Sequence, residues 1–136
     1  MMNKSIFFLS LIAFLTTPVI AETMASSEDT DEPGKIVFYR PKKAKGAAIR
    51  FNIEDQGRPM GSLSNGQVFE RTVEPGEHYF SVRGPSLDGQ DFLSVYIQPG
   101  EVVYIRCVIK WGWPAGRPKF EQVPETEGEA AVSRLR

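Results

Sequence analysis

The segment Glu101 to Trp111, EVVYIRCVIKW, alternates with a period of two. Val103, Ile105, Cys107, Ile109 and Trp111 fall on one face, and Tyr104, Arg106 and Lys110 on the other, interrupted only by Val108. Only an extended strand puts every second side chain on the same side, and this pattern implies one dry and one wet face. Such a strand cannot cover its own apolar face, so the chain must supply neighbours and a second layer. From Lys35 onward it does, in short alternating runs broken by turn residues about every ten positions. The expectation is an all-β fold, an antiparallel β-sandwich of about seven to eight short strands with a short C-terminal helix.

KIVFYR reads as the first strand and ends at Pro41. In AAIRFNIE, Ile49, Phe51 and Ile53 share the inward face. Asp55 to Gly57 is a tight hairpin turn, and Ser64 to Gly66 reads as another, because Asn-Gly suits a type I′ turn. The strands RPMGSL and QVFERTV flank that second signal. Two copies of Pro-Gly-Glu follow, at Pro75-Gly76 and Pro99-Gly100, each before a strand. Proline presets φ at the first central position of a type II turn, and glycine accepts the positive φ at the second. DFLSVYI and RPKFEQV complete the strands. In the tail, Thr126 and Glu129 stand at capping-box spacing, and Ala131, Val132 and Leu135 form a narrow apolar stripe. A helix this short must dock on the sandwich or fray.

The N-terminus reads as a signal peptide over residues 1–21: Lys4, an apolar run from Ile6 to Leu15, Pro18, then Val19-Ile20-Ala21. Cleavage is expected after Ala21, with Ala25 as a second site. The run is too short to span a bilayer, which takes about 20 apolar residues. No cysteine follows it to carry a lipid, so no stable membrane anchor is expected and the product should be periplasmic or secreted. Residues 22–34 carry five acids and no base and read as an acidic disordered leader. Residues 35–123 form the sandwich, with thirteen bases against nine acids, and residues 124–136 the helical tail.

No constellation in the chain reads as catalytic, and no metal site or cofactor is expected. His78 is the only histidine, stands one residue past a turn and has no nucleophile motif near it. Cys107 is the only cysteine, so it can form neither an internal disulfide nor a zinc cluster, and its phase with Ile105 and Ile109 buries it. Two features suit binding. Arg40, Lys42, Lys43 and Lys45 put four bases in six residues, a loop able to meet phosphate, an anionic lipid or an acidic glycan. Without interleaved aromatics it does not suit single-stranded nucleic acid. Trp111 and Trp113 could stack on sugars or fill a partner's pocket, although the phase of Trp111 continues the buried face. The reading is a non-catalytic exported module that contacts an envelope protein or cell-wall component. The alternative is a ligand-binding module for an anionic lipid or glycan through residues 40–45 or the tryptophans. Oligomeric state is open.

The order of these short motifs resembles a bacterial family known as domain of unknown function 2846. Tyr39-Arg40-Pro41 ends the first strand; Gly61, Leu63, Asn65 and Gly66 follow; then come Pro75 to His78, Gly100 and Arg117-Pro118. The resemblance covers about Lys35 to Val123, and the central hairpins also look like PEGA-type envelope repeats. It implies an exported β-domain, often a lipoprotein, with no established activity, and it supplies no catalytic residues. The absence of a lipid-accepting cysteine departs from that pattern.

Overall fold

The computed structural model describes residues 32–136. The expected signal peptide and nearly all of the acidic leader lie outside the described residues. Eight strands and one helix follow in order: β1 Gly34–Tyr39, β2 Phe51–Asp55, β3 Arg58–Leu63, β4 Val68–Val73, β5 Gly76–Arg83, β6 Gln90–Ile97, β7 Val102–Lys110, β8 Arg117–Val123 and α1 Glu125–Leu135. The expected all-β sandwich with a C-terminal helix is present. One sheet has the order β4-β1-β7-β8, the other β3-β2-β5-β6. Every pairing is antiparallel except β1 with β7, which run parallel with Ile36 opposite Val103 and Phe38 opposite Ile105.

The main core is built from the inward positions of both sheets. Ile36, Phe38, Phe51, Ile53, Leu63, Phe80, Val82, Ile97, Ile105 and Cys107 are all fully buried. Phe38 meets Phe80 edge-on at 5.3 Å and Phe120 at 5.5 Å. A second, smaller core lies on the outside of the first sheet, where α1 packs Val132 against Val37, Tyr39 and Val123. The outer face of β7 is therefore not wet throughout, as its alternation implies, because α1 covers Val102 and Tyr104. The helix comes close because residue 128 is glycine; a Cβ there would stand 2.3 Å from the Tyr104 ring. The capping box is not formed. Pro124 occupies the N-cap with no side-chain cap, and Thr126 lies inside the helix.

The turns sort into two kinds. Gln56 and Gly57 both have positive φ, 49° and 79°, which is the type I′ geometry of a two-residue hairpin between β2 and β3. The Ser64–Gly66 turn differs from the sequence reading. Among the described residues Gln56 is the only non-glycine with positive φ, so Asn65 does not complete a type I′ turn. The strands it joins lie in different sheets, β3 beside β2 and β4 beside β1. Both Pro-Gly-Glu segments also carry the chain from one sheet to the other, from β4 to β5 and from β6 to β7. At the second, Gly100 has φ 72° and the Glu101 amide donates to the Gln98 carbonyl at 3.0 Å, a type II turn. At the first, Gly76 has φ 128° and already pairs with Ile97 as the first residue of β5.

Candidate functional site

Between β1 and β2 the chain crosses one pole of the sandwich as a strap, residues 40–50. Its anchor is Arg40. Instead of lying on the surface with the lysines, Arg40 is buried at 3% exposure. Its guanidinium donates to the Gly46 carbonyl at 2.6 Å and to the Ile49 carbonyl, and lies 4.6 Å over the Phe51 ring. The reason is local: a strap of eleven residues has few backbone partners of its own, and carbonyls turned inward need donors. The planar, five-donor guanidinium serves two of them at once. Burial lowers the Arg40 pKa from its ordinary value, yet arginine stays charged. Among the described residues, no carboxylate stands within ion-pair distance of it.

The other bases extend outward. Lys42, Lys43 and Lys45 are exposed. The Asn65 side chain accepts a hydrogen bond from the Lys43 amide at 2.9 Å, so the β3–β4 turn pins the middle of the strap. Lys45 Nζ sits 4.3 Å above the Trp111 ring. Trp111 does not continue the buried face: β7 stops at Lys110, and Trp111 turns across the pole at 45% exposure. Glycines flank it. A Cβ on Gly46 would meet the Trp111 ring at 2.9 Å, and one on Gly116 at 3.0 Å. Trp113 stands apart, 94% exposed, on the β7–β8 turn.

These placements enclose a cleft of about 340 Å³, with Arg40, Lys43, Lys45, Cys107, Ile109 and Trp111 among its walls. That volume is at the lower end for small-molecule sites. The walls are mainly apolar, and every charged residue among them is basic. Thus the structure brings the basic loop and one tryptophan of the pair into a single site and leaves Trp113 outside it. Cys107 forms part of the wall, but burial pushes its thiol well above the ordinary range and outweighs the nearby Arg40 charge, so it is a poor nucleophile.

A second, broader groove lies between the strap, β7 and α1. Two of its five bases are paired with carboxylates: Arg106 bridges Glu121 at 2.7 Å and Glu127 at 3.1 Å, and Lys110 reaches Glu121 at 3.6 Å.

His78 lies far along the chain from both, on β5. Its Nδ1 is 2.7 Å from Asp55 Oδ2 and its Nε2 is 2.6 Å from the Glu74 carbonyl oxygen. Its ring stacks on Phe80 at 5.6 Å. Both partners are acceptors, so the arrangement suits the doubly protonated imidazolium. Burial alone would lower its pKa, but the bonds to Glu74 and Asp55 outweigh it, and the net shift is upward. His78 ties the β4–β5 corner to the end of β2. Among the described residues, no three His, Cys, Asp or Glu side chains gather as a metal-holding group, and no helix is long and apolar enough to cross a membrane.

Fold and cleft together define an eight-stranded β-sandwich domain with a lysine-rimmed apolar cleft at one pole. The chain belongs to the family described as "Protein of unknown function (DUF2846)", whose model matches residues 30–118. It is also similar to an uncharacterized protein of Haemophilus influenzae (strain ATCC 51907 / DSM 11121 / KW20 / Rd), 25% identical over 135 residues, covering 91% of this chain and 78% of that protein. The match spans the strap, the cleft and both corners.

Proposed function

We propose that this protein is an exported, non-catalytic module of the bacterial envelope that binds an anionic amphiphile in the strap cleft. One observation carries the reading: the Arg40 charge is buried against the cleft with no carboxylate among the described residues to balance it. A buried uncompensated cation is costly, and an anion arriving nearby removes part of that cost. Lys43 and Lys45 add an attractive rim, while Ile109 and Trp111 provide an apolar wall for a chain or ring. A carboxylate or phosphate head on an apolar body matches both. The signal-like N-terminus supports an envelope setting, where such molecules are abundant as lipids.

Trp111 lies in the wall and reports occupancy. Short-chain phosphatidylglycerol should change its fluorescence, phosphatidylcholine of the same chain length should not, and salt should weaken the response. Replacing Lys42, Lys43 and Lys45 with Ser should reduce affinity at least tenfold. Equal responses to the two lipids would sink the reading.

A further inference from the structure

The outward face of the second sheet carries aromatic residues where a wet face normally carries polar ones. Tyr79 on β5 and Phe92 and Tyr96 on β6 are 48%, 44% and 67% exposed. With Trp111 and Trp113, they are all the exposed large hydrophobic residues among the described residues. The register explains their grouping. Tyr79 pairs with Ser94, so Phe92 and Tyr96 lie diagonally on either side of it. Tyr79 and Phe92 stack with centroids 5.4 Å apart and ring planes 15° from parallel. Phe92 and Tyr96 are four strand positions apart, about 13 Å. Between the rings lies a polar pair, Ser94 Oγ donating to Glu77 Oε1 at 2.9 Å. β6 is the edge strand of its sheet, and the three rings stand exposed on it and on its neighbour β5.

We infer that this strip binds an uncharged polysaccharide chain. Three observations select that occupant. First, the rings expose roughly 300–400 Å² together, about half of the 800 Å² per partner that a stable protein interface needs. A narrow linear ligand fits; a folded partner does not. Second, the carboxylate of Glu77 sits among the rings, and the nearby Arg83 is neutralised by Glu54 at 2.7 Å. Anionic lipids and nucleic acid are repelled from such a strip. Third, the strip sets aromatic rings beside an acceptor, the Glu77 carboxylate opposite Tyr96 in the register. Pyranose rings present slightly positive C–H groups to the negative face of an aromatic ring, and hydroxyls to carboxylates at its edge. The strip and the strap cleft share no residues, so the two readings stand independently.

The test uses the folded chain with chitohexaose and cellohexaose in calorimetry, and with chitin and cellulose in pull-down. At least one should bind. The Tyr79→Ala/Tyr96→Ala pair should weaken binding tenfold or more while the chain still folds cooperatively, with Tm lower by only a few degrees from the lost stacking on Phe92. The Lys42, Lys43, Lys45→Ser variant should bind the glycan like the wild type, which separates this site from the cleft. Absence of binding to all four glycans overturns the proposal, as does undiminished binding by the tyrosine variant. If sedimentation shows a dimer that the tyrosine variant abolishes, the strip belongs to a second copy of this chain instead.

Discussion

Removing the Arg40 guanidinium should loosen the strap and destabilise the whole sandwich. Arg40→Met keeps an apolar stem of similar length, so the loss isolates the head group. Two hydrogen bonds from a charged donor disappear, those to Gly46 and Ile49. Each is worth about 1.5–3 kcal/mol in mutational series, and the stacking on Phe51 adds about 1 kcal/mol. Against this stands relief from burying an unbalanced charge. The net cost is about 2–3 kcal/mol. With a urea m-value of about 1–1.5 kcal/mol/M for a domain near this size, the unfolding midpoint should fall by about 2 M. Arg40→Lys should lose a similar amount: it keeps the charge, but a single ammonium cannot serve two separated carbonyls and stack as well. Urea titration followed by circular dichroism measures both. If neither midpoint moves by more than about 0.3 M, Arg40 does not hold the strap, and the cleft loses its stated origin.

Two other perturbations test separate parts of the fold. The folded-state pKa of His78 is raised, so its stabilisation is complete below the unfolded value of about 6.5 and is lost as pH rises through the folded value. Wild-type Tm should therefore be lower at pH 9 than at pH 5.5, and His78→Asn should flatten that part of the profile; an unaltered profile would show that the Asp55 and Glu74 contacts carry no stability. Gly128→Ala would strengthen an isolated helix by about 1 kcal/mol, but here the new Cβ meets Tyr104 at 2.3 Å. The expected result is a net loss of about 1–3 kcal/mol, and a variant with a higher Tm would mean that α1 does not pack on β7 through this glycine.

The inward residues of the main core were legible because alternation encodes them directly: Ile36, Phe38, Phe51, Phe80 and Ile105 all lie where period two puts them. What escaped was set by contacts distant in sequence. The parallel pairing of β1 with β7 joins strands some seventy residues apart, and no local signal specifies it. The second core depends on where α1 lands, so Tyr104 read as an ordinary outward position. Asn65-Gly66 is a sound turn signal, but whether such a turn closes a hairpin or changes sheet depends on which strands find each other. Trp111 kept the phase of β7 in the sequence and lost it in space, because glycines at 46 and 116 open a shelf for its ring. Arg40 looked like one of four surface bases; only the inward carbonyls of the strap distinguish it. The aromatic strip was visible in principle, since Tyr79, Phe92 and Tyr96 all occupy the polar phase of their strands.

The parallel run of β1 beside β7 also sets how the domain bears force. Residue 32 meets the Gly100 corner through its carbonyl, and β1 runs from there to the strap. The chain thus enters at one pole, while the lysine-rimmed cleft opens at the other. If the entering segment and a ligand in the cleft were pulled apart, the load would run lengthwise through β1. The ladders to β4 and β7 flank that strand on both sides, so their hydrogen bonds would be sheared together rather than peeled one by one. Strand pairing of this kind favours resistance to tension along β1 over tension across it.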